Sequence, residues 1–196
     1  MPINKGYLKS GRTKESDECL TPRYVINPIL KYLKQKNFKN VWCPFDLDHS
    51  LYVRILKQNG YNVTNTHISR GGNFLDINPD TIDFDVIVSN PPFTLKDEVL
   101  ERLYEINKPF AILLPIQSLQ SAKRTPLFIK NGLQLLCFDK RACFYTNNEM
   151  EYIKFGNHFA SAYFCKDFLP KDLIFEILEP KQEPYYKGGE QWQIKQ

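Results

Sequence analysis

The residues best suited to chemistry lie where a short apolar run stops. Residues 84–88 read Phe-Asp-Val-Ile-Val, which is typical of a buried parallel strand, and Ser89-Asn90-Pro91-Pro92-Phe93 follows. In open parallel sheets the ligand site lies beyond the carboxyl ends of the strands. Each proline fixes its φ near about −65°, so two in succession make a stiff loop. The predicted strand therefore delivers an amide and an aromatic ring to the expected site in a fixed arrangement.

This motif combines hydrogen-bond acceptors with a flat apolar surface. The side-chain oxygen of Asn90 and the carbonyl oxygen of Pro91 are acceptors, and Phe93 offers a ring face. An exocyclic amine on a planar ring carries two N–H donors. Stacking of such a ring on an aromatic side chain contributes roughly 1–3 kcal/mol. Because two acceptors would also direct the lone pair of the amine toward an electrophile, Asn90, Pro91 and Phe93 are the candidate catalytic residues.

Helix-length and strand-length segments alternate through most of the chain. Apolar residues at spacings of three and four predict helices at 22–37, 51–58, 95–106 and 127–131. Short apolar runs predict strands beginning at Val41, at 61–68, 84–88, 109–114, 133–138, 159–165 and 173–178. Asn59-Gly60 has the form of a helix C-cap. The alternation predicts an α/β fold of parallel β-α-β units with helices on both faces of the sheet.

Length and composition indicate one domain. The chain has 196 residues, of which 42% are hydrophobic, enough for a single substantial core. We expect an N-terminal arm at 1–18, one domain at 19–180 and a C-terminal tail at 181–196. The polar start of the chain and the lack of a run of roughly 18 apolar residues predict a soluble cytoplasmic protein with no membrane partner. The scattered cysteines predict reduced thiols and no metal site: Cys19, Cys43, Cys137, Cys143 and Cys165.

The sequence Ser-Asn-Pro-Pro-Phe resembles the (Asp/Asn/Ser)-Pro-Pro-(Tyr/Phe) motif of amino-methyltransferases that use S-adenosylmethionine, particularly the adenine-N6 DNA methyltransferases. Residues 17–33 ("DECLTPRYVINPILKYL"), 41–46 ("VWCPFD") and 71–76 ("GGNFLD") are similar to further segments of that family, including its small phage-type members. The resemblance extends over about residues 17–165. It implies a single Rossmann-like class I methyltransferase domain whose mostly parallel twisted sheet includes an antiparallel C-terminal strand.

The resemblance also implies a cofactor and a substrate. The cofactor would be S-adenosyl-L-methionine, and the substrate would be the N6 amine of an adenine flipped out of DNA in a bacterial or phage-infected cell. In this reading Asp46 binds the ribose or methionine part of the cofactor and Phe74 covers its adenine. The residues predicted to contact the cofactor are Thr21, Pro22, Cys43, Pro44, Phe45, Asp46, His67, Asn73, Phe74 and Ser89.

Polar and basic residues gather after two of the predicted strands. The net charge of +4 is small, so their position matters more than their number. The candidate contacts to DNA phosphates or to the space left by a flipped base are Gln117, Gln120, Lys123, Arg124, Lys140 and Arg141.

The cofactor half departs from the family pattern at three places. No glycine lies between Gly11 and Gly60, no carboxylate follows the second predicted strand, and Asn73 stands where an aspartate is common. These departures leave open a catalytically weakened methyltransferase-like module that binds nucleic acid or a protein partner. A methyltransferase acting on RNA or on a protein glutamine also stays open, because each target presents a planar amine. The oligomeric state does not follow from the sequence.

Overall fold

The computed structural model describes residues 20–144 and 159–180. The predicted N-terminal arm and C-terminal tail lie outside these residues. The described strands are β1 (Asn40–Cys43), β2 (Asn62–Asn65), β3 (Val86–Ser89), β4 (Phe110–Pro115), β5 (Gln134–Phe138), β6 (Ser161–Lys166) and β7 (Leu173–Glu176). The described α-helices are α1 (Arg23–Gln35), α2 (Leu51–Gln58), α3 (Lys96–Ile106) and α4 (Thr125–Asn131).

All seven described strands belong to one sheet, in the order β2-β1-β3-β4-β6-β5-β7. Strand β6 runs antiparallel to both β4 and β5, and the other neighbouring strands pair in parallel. The predicted Rossmann-like, mostly parallel sheet is therefore confirmed, but its antiparallel strand is β6 and not the last described strand, β7, which runs parallel to β5. Because β2 lies on one side of β1 and β3 on the other, the strand order reverses between β1 and β3. Ligands of open α/β sheets bind at such a switch point.

Local sequence determines where helix α2 begins and ends. Ser50 precedes it, and the Ser50 side chain accepts a hydrogen bond from the backbone N–H of Tyr52 at 3.2 Å. That bond satisfies one of the N–H groups that the first turn leaves without an intrahelical partner. The helix ends before Gly60, whose φ of +83° favours glycine. The predicted N- and C-terminal limits of α2 are confirmed.

Helices cover both faces of the sheet. Ile26, Ile29 and Leu33 of α1 pack with Val53 and Leu56 of α2 on one face, and all five side chains are fully or almost fully buried. On the other face the apolar side of α3 packs on the sheet through Val99, Leu100 and Leu103. Each large aliphatic side chain buried in this way stabilises the fold by about 1.5–3 kcal/mol. The sheet is therefore fixed from both sides, and its carboxyl edge is held in place for a site.

Most strands begin or end one to three residues from their predicted limits, and the differences at β2 and β3 have visible local causes. Ile68 lies in a short 3-10 turn, Ile68–Arg70, and β3 begins at Val86 because Asp85 is occupied elsewhere. The Asp85 carboxylate accepts hydrogen bonds from the backbone N–H groups of Asn40 at 2.8 Å and Lys39 at 2.7 Å. These bonds lower the pKa of Asp85 because they stabilise its ionised form. Asp85 thus anchors the start of β1 at the edge opposite the expected site.

Two features concern a membrane span and a metal site. In residues 20–144 and 159–180, no helix is both long and apolar enough to cross a membrane. The same residues hold no cluster of three histidine, cysteine, aspartate or glutamate side chains arranged to bind a metal ion.

Candidate active site

A buried carboxylate joins the carboxyl ends of β1 and β3. Asp46 follows β1 and is 8% exposed. One of its carboxylate oxygens accepts a hydrogen bond from the hydroxyl of Ser89, the last residue of β3, and the other accepts one from Ser50. Since Ser50 also caps α2, Asp46 ties three elements together at the switch point.

The electrostatics of Asp46 are dominated by burial. Burial raises the pKa of Asp46, while the hydroxyls of Ser50 and Ser89 and the nearby imidazoles of His67 and His49 lower it by smaller amounts. Both carboxylate oxygens are engaged by protein hydroxyls. The structure thus places Asp46 at the predicted site, where its direct role is to hold the turn after β1 in shape.

The turn after β1 is bonded to the end of β2, and none of its residues has a positive φ, so its backbone does not require glycine. The backbone N–H of Asp46 donates to the Thr66 carbonyl at 3.2 Å, and the N–H of Thr66 donates to the Cys43 carbonyl at 3.1 Å. The Asn65 amide donates to the Asp46 carbonyl at 3.2 Å and to the Asp48 carboxylate at 3.1 Å. These bonds continue the pairing of β1 and β2 into the turn, so the Asp46 N–H and the carbonyls of Cys43 and Asp46 already have protein partners.

His67 and Asn73, both predicted to contact cofactor, make local contacts beside this turn. His67 Nδ1 accepts a hydrogen bond from the backbone N–H of Ser69 at 3.2 Å and so caps the Ile68–Arg70 turn. Asn73 Nδ2 donates to Asp76 at 2.5 Å, and its Oδ1 accepts from the N–H of Leu75 at 3.3 Å. Both side chains therefore shape the segment that follows β2.

Phe74, predicted to cover the adenine of the cofactor, is buried in the protein core. Its ring is 1% exposed and lies in a core cluster, with ring centroids 5.4 Å from Trp42 and 5.1 Å from Phe45. These contacts enclose the Phe74 ring in protein. Phe45 is partly exposed, so a ligand can reach its ring more readily than that of Phe74.

Thr21 carries the polar atom at this edge that best fits a ligand. Its hydroxyl oxygen is buried, has no well-aligned hydrogen-bond partner in the described part of the chain and lies near the Tyr52 hydroxyl. Buried polar atoms in native proteins are almost always bonded, so a bound molecule is a natural partner for such an atom. The neighbouring Pro22 is the N-cap of α1. Cys43 and Pro44 are buried, and burial raises the pKa of the Cys43 thiol, which keeps it protonated and unreactive.

The predicted catalytic loop leaves β3 beside this corner. Ser89 is fully buried, Asn90 is half-buried with a buried side-chain oxygen, and Pro91 is buried. The backbone N–H of Leu95 donates to the Pro92 carbonyl at 3.0 Å, which turns the chain into α3. The loop is thus held by β3 on one side and by α3 on the other.

Phe93 belongs to a group of three aromatic rings that the sequence did not reveal. Its ring centroid lies 5.5 Å from Phe159 at 84° and 6.3 Å from Phe144 at 71°. Phe144 and Phe159 flank residues 145–158, which lie outside the described part of the chain. The edge-to-face contacts fix the orientation of Phe93. The Lys96 ammonium group donates to the Phe93 carbonyl at 3.3 Å and adds a positive charge beside the motif.

Of the six predicted DNA contacts, five are exposed. They lie after β4 and β5 at the same sheet edge as the catalytic loop: Gln117, Gln120, Lys123, Lys140 and Arg141. The prediction for Arg124 is wrong, because Arg124 is 6% exposed. Its guanidinium donates to the Ser118 carbonyl at 2.7 Å, to the Gln120 carbonyl at 3.2 Å and to the Asp97 carboxylate. Arg124 therefore holds the loop after β4 on α3.

Comparison with known proteins adds little to this description. No protein-family model and no curated protein matches the chain. Among solved structures, precorrin-6y C5,15-methyltransferase from Geobacter metallireducens GS-15 is similar over 77% of this chain and 93% of its own, at 13% identity and a TM-score of 0.39. Because that score is low, the fold assignment rests on the strand order and strand directions given above.

Proposed function

We propose that this protein is an S-adenosyl-L-methionine-dependent methyltransferase that methylates the exocyclic N6 amine of adenine in DNA. The observation that carries the proposal is the position of the 89–93 segment. It begins at the carboxyl end of β3, and Ser89 is bonded to Asp46 across the switch point. An amine-binding loop and a ligand-binding corner are thus adjacent.

The loop has the parts needed to hold a planar amine. Asn90 Oδ1 and the Pro91 carbonyl are the acceptors for its two N–H groups, and Phe93 supplies an aromatic surface of fixed orientation. Methyl transfer to an amine depends mainly on alignment at near-attack distance and on exclusion of water. The buried Pro91 and the rings of Phe144 and Phe159 keep this corner apolar.

The cofactor would be held on the other side of Ser89. Thr21 offers its buried hydroxyl, Phe45 offers a partly exposed ring, and Asp46 fixes the turn that connects them to β3. When bound there, S-adenosyl-L-methionine would supply an electrophilic methyl group. The residues named for this side fit a nucleoside with a polar tail, because they combine one ring surface with a hydroxyl.

The exposed residues after β4 and β5 favour a nucleic acid as the carrier of the amine. Lys123, Lys140 and Arg141 lie at the edge that the catalytic loop occupies, so phosphates bound there would hold a base near Phe93. An adenine must leave the duplex to reach the loop.

One observation favours a second candidate, a methyltransferase-like module that binds nucleic acid or a protein partner without catalysis. The bonds from Asn65 and Thr66 join the turn after β1 to the end of β2. A cofactor ribose would have to displace them or bind elsewhere.

Calorimetric titration with S-adenosyl-L-methionine, followed by mass spectrometry of the nucleosides from a treated DNA, separates the candidates. We expect micromolar binding and formation of N6-methyladenine. Asn90→Ala should lower the rate by roughly 10²–10³, the cost of losing one preorganised hydrogen-bonding group in an active site. Asn62→Ala, an exposed amide on β2, is the matched control and should leave the rate unchanged.

Three outcomes would contradict the proposal. Methyl transfer only to RNA or to a protein glutamine would keep the chemistry and change the substrate. Full activity of Asn90→Ala would remove the assigned acceptor. A folded protein that binds DNA but no cofactor at millimolar concentration would establish the module instead.

A further inference from the structure

The two outer strands of the sheet expose different kinds of side chain. At one edge, β2 exposes Asn62 and Thr64. At the other edge, β7 exposes Leu173 (52%) and Phe175 (70%), and Ile177 directly after it is 84% exposed. Side chains two residues apart along a strand lie on the same face, so these three form an apolar stripe. We call Leu173, Phe175 and Ile177 the β7 stripe.

Beside the stripe, β7 has backbone hydrogen-bonding positions that no strand among residues 20–144 and 159–180 pairs with. The carbonyl of Asp172 accepts from the N–H of Leu135 at 2.7 Å, and that of Glu176 accepts from Asp139 at 3.1 Å. The even-numbered residues therefore direct their backbone groups toward β5. Because these groups alternate between the two sides of a strand, Leu173 and Phe175 direct theirs outward. Within the described residues β7 is the last strand of the sheet on this side.

An outward row of N–H and C=O groups next to an apolar stripe is a template for another strand. The β2 edge exposes the polar side chains of Asn62 and Thr64, whereas the β7 edge exposes the apolar stripe. We propose that a second copy of this chain pairs with β7 in an antiparallel arrangement about a twofold axis at Phe175. Phe175 then faces Phe175 of the second copy, and Leu173 faces Ile177. The two sheets become continuous through a closed, self-complementary interface.

The charges at the two ends of the stripe favour this direction of pairing. Lys171 precedes the stripe and is exposed, and Glu179 follows it and is exposed. The Glu179 carboxylate is held at that end by a hydrogen bond from Asn27 at 3.1 Å. In an antiparallel dimer, Lys171 of one copy lies opposite Glu179 of the other copy, so two such pairs of opposite charge form. A parallel dimer would bring like charges together, which is unfavourable.

Sedimentation velocity of the full chain, from low micromolar to several hundred micromolar protein, tests the proposal. We expect the average mass to rise from one chain to two with concentration. Phe175→Lys places two like charges at the axis and should weaken dimerisation at least tenfold. Thr64→Lys, the same change at the β2 edge, is the control and should dimerise normally. Thermal melts establish that both variants are folded.

A charge exchange tests the direction of pairing. Lys171→Glu should weaken the dimer, and the double variant Lys171→Glu with Glu179→Lys should restore it. If each substitution only disturbed the local structure, the double variant would dimerise no better than the single variant. Recovery of dimerisation therefore supports the paired charges. Equal dimerisation of the single and double variants would overturn the antiparallel arrangement.

Hydrogen exchange at the Phe175 amide distinguishes a second copy from the chain's own residues 181–196 as the occupant of this edge. Protection that increases with protein concentration supports the dimer. Protection that is equal at all concentrations in a protein of monomeric mass would mean that the chain covers its own edge, and the proposal would be wrong. A monomer at every concentration, or a dimer unaffected by Phe175→Lys, would also overturn it.

Discussion

Asp46 and Arg124 lie on either side of β3 and are buried by different means. Asp46 is satisfied by two neutral serine hydroxyls. Arg124 is satisfied by an opposite charge on Asp97 and by two backbone carbonyls. Both residues read in the sequence as ligand contacts, and both instead shape the loops that flank the 90–93 segment. The comparison teaches that a charged residue in a functional loop can serve the loop rather than the ligand.

Because their partners differ, replacing Arg124 and replacing Asp46 by alanine should lower the free energy of unfolding by different amounts. Arg124→Ala should give the larger loss. The substitution leaves the Asp97 carboxylate and the carbonyls of Ser118 and Gln120 without their donor. Breaking a buried pair costs about 3–5 kcal/mol, and we expect about 2–4 kcal/mol here because Asp97 retains some contact with water. Urea unfolding measures the loss. A change below about 1 kcal/mol would mean that Arg124 does not hold the loop.

Asp46→Ala should cost less, about 1–3 kcal/mol, because the hydroxyls of Ser50 and Ser89 lose their acceptor while the penalty for burying a charge disappears. The same urea titration gives the value. Asp48→Ala is the matched control, since Asp48 lies in the same turn with an exposed partner, Arg70. A larger loss for Asp48→Ala than for Asp46→Ala would contradict the role of Asp46 in joining β1 to β3.

The fold and the 90–93 loop could be predicted because their signals are local. The apolar spacing of α1 and α2, the Asn59-Gly60 cap and the two prolines each act over a few residues. The bond between Asp46 and Ser89 joins residues 43 positions apart, and the Arg124–Asp97 pair spans 27. No short pattern marks such partners, so the exposure of Asp46, Phe74 and Arg124 required the structure. The grouping of Phe93 with Phe144 and Phe159 was missed for the same reason.

The contributions of Asp46 and Asp97 to the free energy of unfolding should change with pH in opposite directions. Burial raises the pKa of Asp46, so its contribution to stability is present below the unfolded pKa of about 3.9 and is lost as pH rises through the folded pKa. Burial also acts to raise the pKa of Asp97, but the hydrogen bond and charge of Arg124 outweigh it and the pKa is lowered. The contribution of Asp97 is therefore present above the unfolded pKa and is lost as pH falls through the folded one.

Difference curves measure these signs directly. The free energy of unfolding of the wild type minus that of Asp46→Asn should fall as pH rises above about 4, and the difference for Asp97→Asn should fall as pH drops below about 4. Subtraction removes the titration of groups that the variants share. Two curves of the same slope would mean that the pKa of Asp46 is set by its serine hydroxyls rather than by burial.

Lys123 gives the smallest effect on stability and the sharpest contrast with its neighbour Arg124. Its ammonium group lies 3.4 Å from the Glu101 carboxylate, with side chains 51% and 41% exposed. Exposed pairs of this kind contribute about 0–1 kcal/mol, so Lys123→Ala should barely change the urea midpoint. If Lys123 contacts a phosphate in the proposed DNA complex, the same substitution should reduce the salt slope of binding by about 1. A folded Arg124→Gln variant, which loses the charge, should leave that slope unchanged, because the Arg124 guanidinium donates its hydrogen bonds within the protein. Equal slopes for wild type and Lys123→Ala would place the DNA elsewhere on the molecule.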